Sequence, residues 1–252
     1  FFNKMEETVY ATYFDNKDYG WRSILDAETF LKHFLIGELS GNTDTYWSVY
    51  QYKKRGEDTA YTGPVWDFDI AFDNDYRTYP LNNKSEFVCF NGGSTAGSMG
   101  QFVRRVVLQD AQTIPELREI WAVARCNGID SASLCMWIDS IAEEIDRSQT
   151  FTFMRWDILN RQEHMNPVAR GSFAAEVAYL KEYITKRVEW MDKRLGYVHT
   201  DVQSPVTSSP LPIAIWDIMG RMAYAGSEMP MLENGLYVVQ ENGQTTIKLI
   251  NN

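Results

Sequence analysis

Between Phe173 and Leu195 the residues Phe173, Val177, Leu180, Ile184, Val188, Met191 and Leu195 recur at spacings of 4, 3, 4, 4, 3 and 4. At about 3.6 residues per turn, these spacings keep all of them on one helical face. Gly196 follows directly and predicts where the helix stops. A stripe of this length needs a packed body to cover it. A chain of 252 residues supplies one, since at that size roughly three quarters of the unfolded surface can be buried.

The same reasoning predicts further helices. Asp26 can cap a helix over 27–39 whose stripe is Phe30, Leu31, Phe34, Leu35 and Leu39, with Gly41 and Asn42 to end it. Phe102, Val103, Val106 and Val107 suit a helix after Gly100, and Pro115 suits the first turn of another reaching Arg125. Leu134, Trp137, Ile138, Ile141 and Ile145 mark a third. The stretches 46–53 and 59–70 are aromatic and β-branched, and the polar Lys54-Arg55-Gly56-Glu57-Asp58 between them predicts a hairpin.

Residues 1–198 thus read as one mixed body, 199–210 (HTDVQSPVTSSP) as a linker and 211–252 as a small β-rich domain. In that tail, strand signals run over 213–218, 235–239 and 245–250. Met219-Gly220-Arg221 marks a turn, and Asn242-Gly243 is a type I′ hairpin signal. The opening residues 1–7 lack the layout of a signal peptide and read as the interior of a domain, which predicts that upstream sequence is missing.

Lys and Arg number 24 against 34 Asp and Glu, a formal net charge of −10. This balance argues against nucleic acid as a partner, since non-specific binding rests on surplus cations that neutralise phosphates. It argues equally against an anionic membrane surface. No apolar run approaches the ~20 residues needed to span a bilayer, so no transmembrane segment is expected. Cys126 and Cys135 could pair in an oxidising compartment, leaving Cys89 over, but buried free thiols are the plainer reading.

The acidic residues concentrate in Val65-Trp66-Asp67-Phe68-Asp69-Ile70-Ala71-Phe72-Asp73-Asn74-Asp75, which carries four aspartates and no Lys or Arg. On a strand Asp67 and Asp69 would share one face, ~7 Å apart, where they can flank a hard cation and would repel each other without it. Asp73 and Asp75 read as a solvated edge and turn. Upstream, Asp44 lies in Gly41-Asn42-Thr43-Asp44-Thr45-Tyr46, on a loop free to face a cleft. Other templates fail. The stretch 92–100 is Gly-rich but lacks the Lys of a phosphate-binding loop and reads as a mobile loop. His33, His164 and His199 have no zinc-site spacing, and His33 reads as a packing or surface residue.

Asn42-Thr43-Asp44, Tyr50-Gln51-Tyr52-Lys53 and Gly63-Pro64-Val65-Trp66-Asp67-Phe68-Asp69-Ile70-Ala71-Phe72, in that order after an apolar helix, resemble the CotH kinase family. The resemblance covers roughly residues 25–195. It implies an α+β, protein-kinase-like fold, here mainly the helical C-lobe with a β-hairpin catalytic region. It also implies phosphoryl transfer from ATP to secreted or surface proteins.

By that resemblance Asp44 is the catalytic aspartate that accepts the hydroxyl proton, Asp67 holds Mg²⁺ (or Mn²⁺), and Asp69 adds a second metal contact. The usual metal-binding Asn five residues after the catalytic Asp is replaced by Val49, so Ser48 or Asn42 would have to substitute. No Gly-rich lid and no strand-borne phosphate Lys precede Asp44, so the upstream lobe is expected to be absent or truncated. The tail, through 215–221, 234–239 and 248–250, resembles the C-terminal sorting domains of secreted Bacteroidetes proteins, which implies export and an extracellular or outer-surface location.

Two other readings stay open. One is a non-catalytic surface adhesin or carbohydrate-binding module, for which the aromatic surplus of 8 Trp, 14 Tyr and 13 Phe is suited to stacking on sugars. The other is a glycosidase built on paired carboxylates.

Overall fold

Helix α6, Phe173–Leu195, is the axis of the larger unit. Ser172 caps it by accepting from the Ala175 N–H, and Gly196 ends it in the left-handed conformation at φ 68. Ile184, Val188, Met191 and Leu195 of the predicted stripe are buried. Full burial of each such side chain is worth about 1.5–3 kcal/mol.

The computed structural model describes residues 1–81, 86–90, 98–198, 213–217, 222–226, 229–232, 234–241 and 244–250. The Gly-rich stretch 92–97, the 199–210 linker, the Gly220-Arg221 turn and the Asn242-Gly243 turn lie outside the described residues. The chain divides into two units, Phe1–Val198 and His199–Asn252.

In the first unit α1 spans Phe2–Tyr10, α2 Ala27–Ser40, α3 Ser98–Gln109, α4 Thr113–Cys126 and α5 Ser131–Arg155. A two-stranded antiparallel hairpin joins β1, Gln51–Lys53, to β2, Ala60–Thr62, with Tyr52 opposite Tyr61. Helix α2 follows its sequence signals closely: Asp26 accepts from the Thr29 N–H, Phe30, Leu31, Phe34 and Leu35 are buried, and Gly41 closes it at φ 68. Phe102, Val103, Val106 and Val107 of α3 and Leu117 and Trp121 of α4 complete the core with α2 and α6.

A buried ion pair ties α2 to α6. Glu38 and Arg187 have fully buried side chains, with Nη2 3.2 Å from Oε2. Glu38 also accepts from the Val88 and Cys89 N–H groups and from the Tyr46 hydroxyl, so its lone pairs are engaged. Burial pushes its carboxyl above the ordinary range, against the opposing effect of Arg187.

Two expectations need correction here. The hairpin is shorter than predicted. Tyr46 belongs to the 3-10 turn Thr43–Tyr46 and β1 begins only at Gln51, and β2 ends at Thr62 instead of running to Ile70. Gly63 at φ 127 and Pro64, which has no N–H to donate, break the ladder. Helix α5 exists where its stripe predicts it, but it contains no buried residue. Leu134 and Ile138 pack against the core, while Trp137 and Ile141 are 62% and 53% exposed. All three cysteines are free, and Cys126 is exposed rather than buried.

The second unit is a four-stranded antiparallel sheet of β3 Ile213–Asp217, β4 Met222–Gly226, β5 Gly235–Glu241 and β6 Gln244–Ile250, in the order β4-β3-β5-β6. Ile213, Ile215 and Val239 form its core.

Candidate functional site

Two loops meet at the C-terminal end of α2. The first is the 3-10 turn Thr43–Tyr46 that carries Asp44. It sits directly on α2 at Gly37, where any Cβ would run into the Thr45 side chain. The second is the irregular segment 63–75 that carries Asp67 and Asp69. Phe72 anchors this segment by donating its N–H to the Ser40 carbonyl at 2.6 Å, satisfying one of the orphan acceptors at the helix end.

Asn42 joins the two loops. It is 1% exposed. Its Oδ1 accepts from the Asp44 N–H at 3.1 Å, capping the turn, and its Nδ2 donates to the Asp67 carbonyl at 3.0 Å. One side chain therefore sets the backbone of Asp44 relative to that of Asp67. Ser48, exposed just beyond the turn, donates its N–H to the Asp44 carbonyl at 3.0 Å. Val49 faces an apolar pocket with Phe30, Phe34 and Val103.

Asp67 and Asp69 are exposed and Asp44 is half-buried. The predicted shared face of a strand is not how the two are arranged, because no strand runs through 63–70. Asp67 takes the left-handed conformation at φ 57, and Phe72 and Asp73 do so at φ 57 and φ 64. Non-glycine residues hold such angles at a cost of about 1–2 kcal/mol each, and strain of this kind clusters at functional sites.

Burial lifts the Asp44 carboxyl above its ordinary range. Arg77 opposes that, while the negative charges of Asp69, Asp67 and Asp75 add to it. The negative charges of Asp67 and Asp69 thus reach Asp44.

Asp73 and Asp75 are not the solvated edge that was expected; they are 4% and 0% exposed. Asp73 accepts from the Leu81 N–H at 2.8 Å and from the Tyr179 hydroxyl at 2.9 Å, which fastens the segment to α6. Asp75 accepts from Thr43 Oγ1 at 2.7 Å and pairs with Arg77, so it fastens the same segment to the Asp44 turn. The Asp75 carboxyl lies below its ordinary range: burial pushes it up, but the bonds from Arg77 and Thr43 outweigh this. Sequence reasoning missed this role. The one available signal was Asp75 standing two residues before Arg77 in a turn.

The donor chemistry suits a hard divalent cation, because carboxylate oxygens on Asp67 and Asp69 are exposed beside Asp44. Among the described residues, no group of three or more His, Cys, Asp or Glu is arranged to hold a metal ion on its own. A cation here would complete its shell with water and substrate phosphates, which is how Mg²⁺ is commonly held.

A mixed helical body with a short hairpin, and carboxylates gathered where two loops cross a helix end, is the architecture of an α+β domain with an acidic centre. Comparison with known families is specific: the model described as CotH kinase protein matches residues 1–191, and the chain belongs to that family. The match begins upstream of the motif-bearing stretch and does not include the 211–252 tail. Membership implies use of ATP and a divalent metal in general. No curated protein and no solved structure matches the chain. No helix among the described residues is long and apolar enough to cross a membrane.

Proposed function

We propose that this chain transfers the γ-phosphoryl group of ATP to a hydroxyl of a secreted or surface protein, with Asp44, Asp67 and Asp69 as its working carboxylates. The observation that carries the reading is the Asn42 side chain, which ties the Asp44 turn to the Asp67 backbone at the end of α2 and so gathers the exposed Asp67 and Asp69 beside the half-buried Asp44. The C-terminal end of a helix carries partial negative charge, so a cluster of carboxylates there is uneconomical without a cation to offset it.

Asp44 accepts the proton of the acceptor hydroxyl as its oxygen bonds to the γ-phosphorus, and the bond to the β-phosphate oxygen breaks to release ADP. Asp67 and Asp69 hold Mg²⁺ or Mn²⁺, which when bound neutralises charge on the phosphates. Asn42 aligns the two loops; since its amide is buried and engaged at both atoms, the exposed Ser48 supplies the polar group that Val49 cannot. Titration calorimetry with ATP and Mg²⁺ tests the reading. Binding that needs the cation and is lost in Asp67→Asn supports it; no binding to the intact protein rejects it.

The β-rich tail supports export and display at the outer surface through its resemblance to sorting domains. Protease accessibility of the tail on intact cells checks this. A second reading, an adhesin or carbohydrate-binding module, rests on rings around the hairpin: the exposed Tyr50 and Trp66 in edge contact at 5.6 Å, and the exposed Tyr52 stacked on the half-buried Tyr61 at 5.3 Å. Glycan binding that persists in Asp44→Asn favours it.

A further inference from the structure

A cleft of about 390 Å³ opens next to the acidic centre, between the 68–74 loop, the end of α5, the 158–170 segment and the first turns of α6. That volume lies in the range of ~300–1,000 Å³ typical of ligand sites. Asp69 belongs both to the lining of this cleft and to the group of carboxylates acting on Asp44. Whatever enters the cleft therefore lies beside Asp69, one of the proposed metal-holding residues. Much of the lining is apolar, with Phe68, Phe153, Phe173 and Leu180 contributing.

Arg170 is the cation in the lining. Its Nη1 pairs with Glu176 at 3.1 Å, and its guanidinium stacks on the Tyr179 ring at 3.6 Å. Its Nη2, in contrast, is buried and has no hydrogen-bond partner among the described residues. Buried donors in folded proteins are almost always paired, so this nitrogen marks a place for an acceptor. Glu176 already offsets the charge of the guanidinium. The missing partner is accordingly a neutral oxygen, such as a peptide carbonyl, rather than a second carboxylate.

We propose, resting on the phosphoryl-transfer reading above, that this cleft is the docking subsite for the acceptor polypeptide. A large apolar side chain of the acceptor packs between Phe68, Phe153 and Leu180, and the Arg170 side chain, whose Nη2 is closed to solvent, turns to donate that nitrogen to a main-chain carbonyl.

The test uses the full chain and two serine peptides that differ only in a flanking Phe or Gly. The intact protein is expected to bind the Phe peptide at least about tenfold more tightly by fluorescence anisotropy, the scale set by burying one aromatic ring. Val177→Trp, which fills the cleft, should abolish that preference and leave the KM for ATP unchanged. Phe153→Ala, on the half-buried side of α5, should weaken the preference and serves as the check if Val177→Trp misfolds. Equal binding of the two peptides, or a KM for ATP raised by Val177→Trp, overturns the proposal. Binding needs no turnover, so a Phe preference without phosphoryl transfer sinks the kinase reading alone. Transfer with no preference sinks the subsite alone.

Discussion

Asn42→Ala is the perturbation that bears hardest on the site. The side chain is 1% exposed and makes two bonds, from the Asp44 N–H at 3.1 Å and to the Asp67 carbonyl at 3.0 Å. Losing the cap costs about 0.5–2 kcal/mol. Losing the bond to Asp67 adds about 0.5–1.5 kcal/mol, at the low end because Asp67 is exposed and water can replace the donor. With the second contribution near 0.5 kcal/mol the sum is about 1–2.5 kcal/mol, which for a domain of this size lowers the melting temperature by about 2–10 °C.

The catalytic effect should be larger than the stability effect, because a displacement of ~1 Å between Asp44 and Asp67 can cost about 10²-fold in turnover. Asn42→Ser keeps an oxygen for the cap but cannot span to Asp67, so it should recover most of the stability and little of the activity. Calorimetry and γ-phosphoryl transfer measured on the same preparations separate the two effects. If Asn42→Ala melts within about 1 °C of the parent and turns over within about twofold, the bridging role assigned to Asn42 is refuted.

Three further outcomes are expected. The acid limb of kcat/KM should follow Asp44, which must be ionised to act as base, so activity rises as pH rises through its elevated pKa. Arg187→Met leaves Glu38 buried and unpaired and should cost about 3–5 kcal/mol in urea unfolding. Because burial already raises the Glu38 carboxyl, its contribution to stability is full below the unfolded pKa and lost as pH rises through the folded one, so the deficit should grow as pH rises above the ordinary glutamate range of about 4. Met191→Ala, at a fully buried position on α6, should cost about 2–5 kcal/mol, whereas Trp137→Ser, on the exposed face of α5, should stay within about 0.5 kcal/mol.

Helices α2 and α6 were legible because each carries its own start, stripe and stop: Asp26 and Gly41 bound one, Ser172 and Gly196 the other. Helix α5 shows the limit of that reasoning. Its stripe is as periodic as that of α6, but periodicity says which residues share a face and not what covers it. The end of β2 was readable in principle from Gly63-Pro64, since proline removes a ladder donor; aromatic and β-branched composition outweighed that signal. The Glu38–Arg187 pair was out of reach, because its members stand 149 residues apart and each alone looks like an ordinary surface charge. In the candidate site the positions of Asp44, Asp67 and Asp69 came from motif order. The way they are held did not, because Asn42, Asp73 and Asp75 act through contacts to backbone and to distant side chains.

The most direct measurement of the central claim is transfer of radiolabelled phosphate from the γ-position of ATP to a serine-bearing acceptor protein by the full chain. The protein, Asp44→Asn and Asp67→Asn should be compared with and without Mg²⁺, after circular dichroism has established that all three are folded. The account predicts incorporation that requires the cation and falls by at least about 10²-fold in both variants. Incorporation that persists undiminished in Asp44→Asn, or none at all in the intact protein with either Mg²⁺ or Mn²⁺, contradicts it.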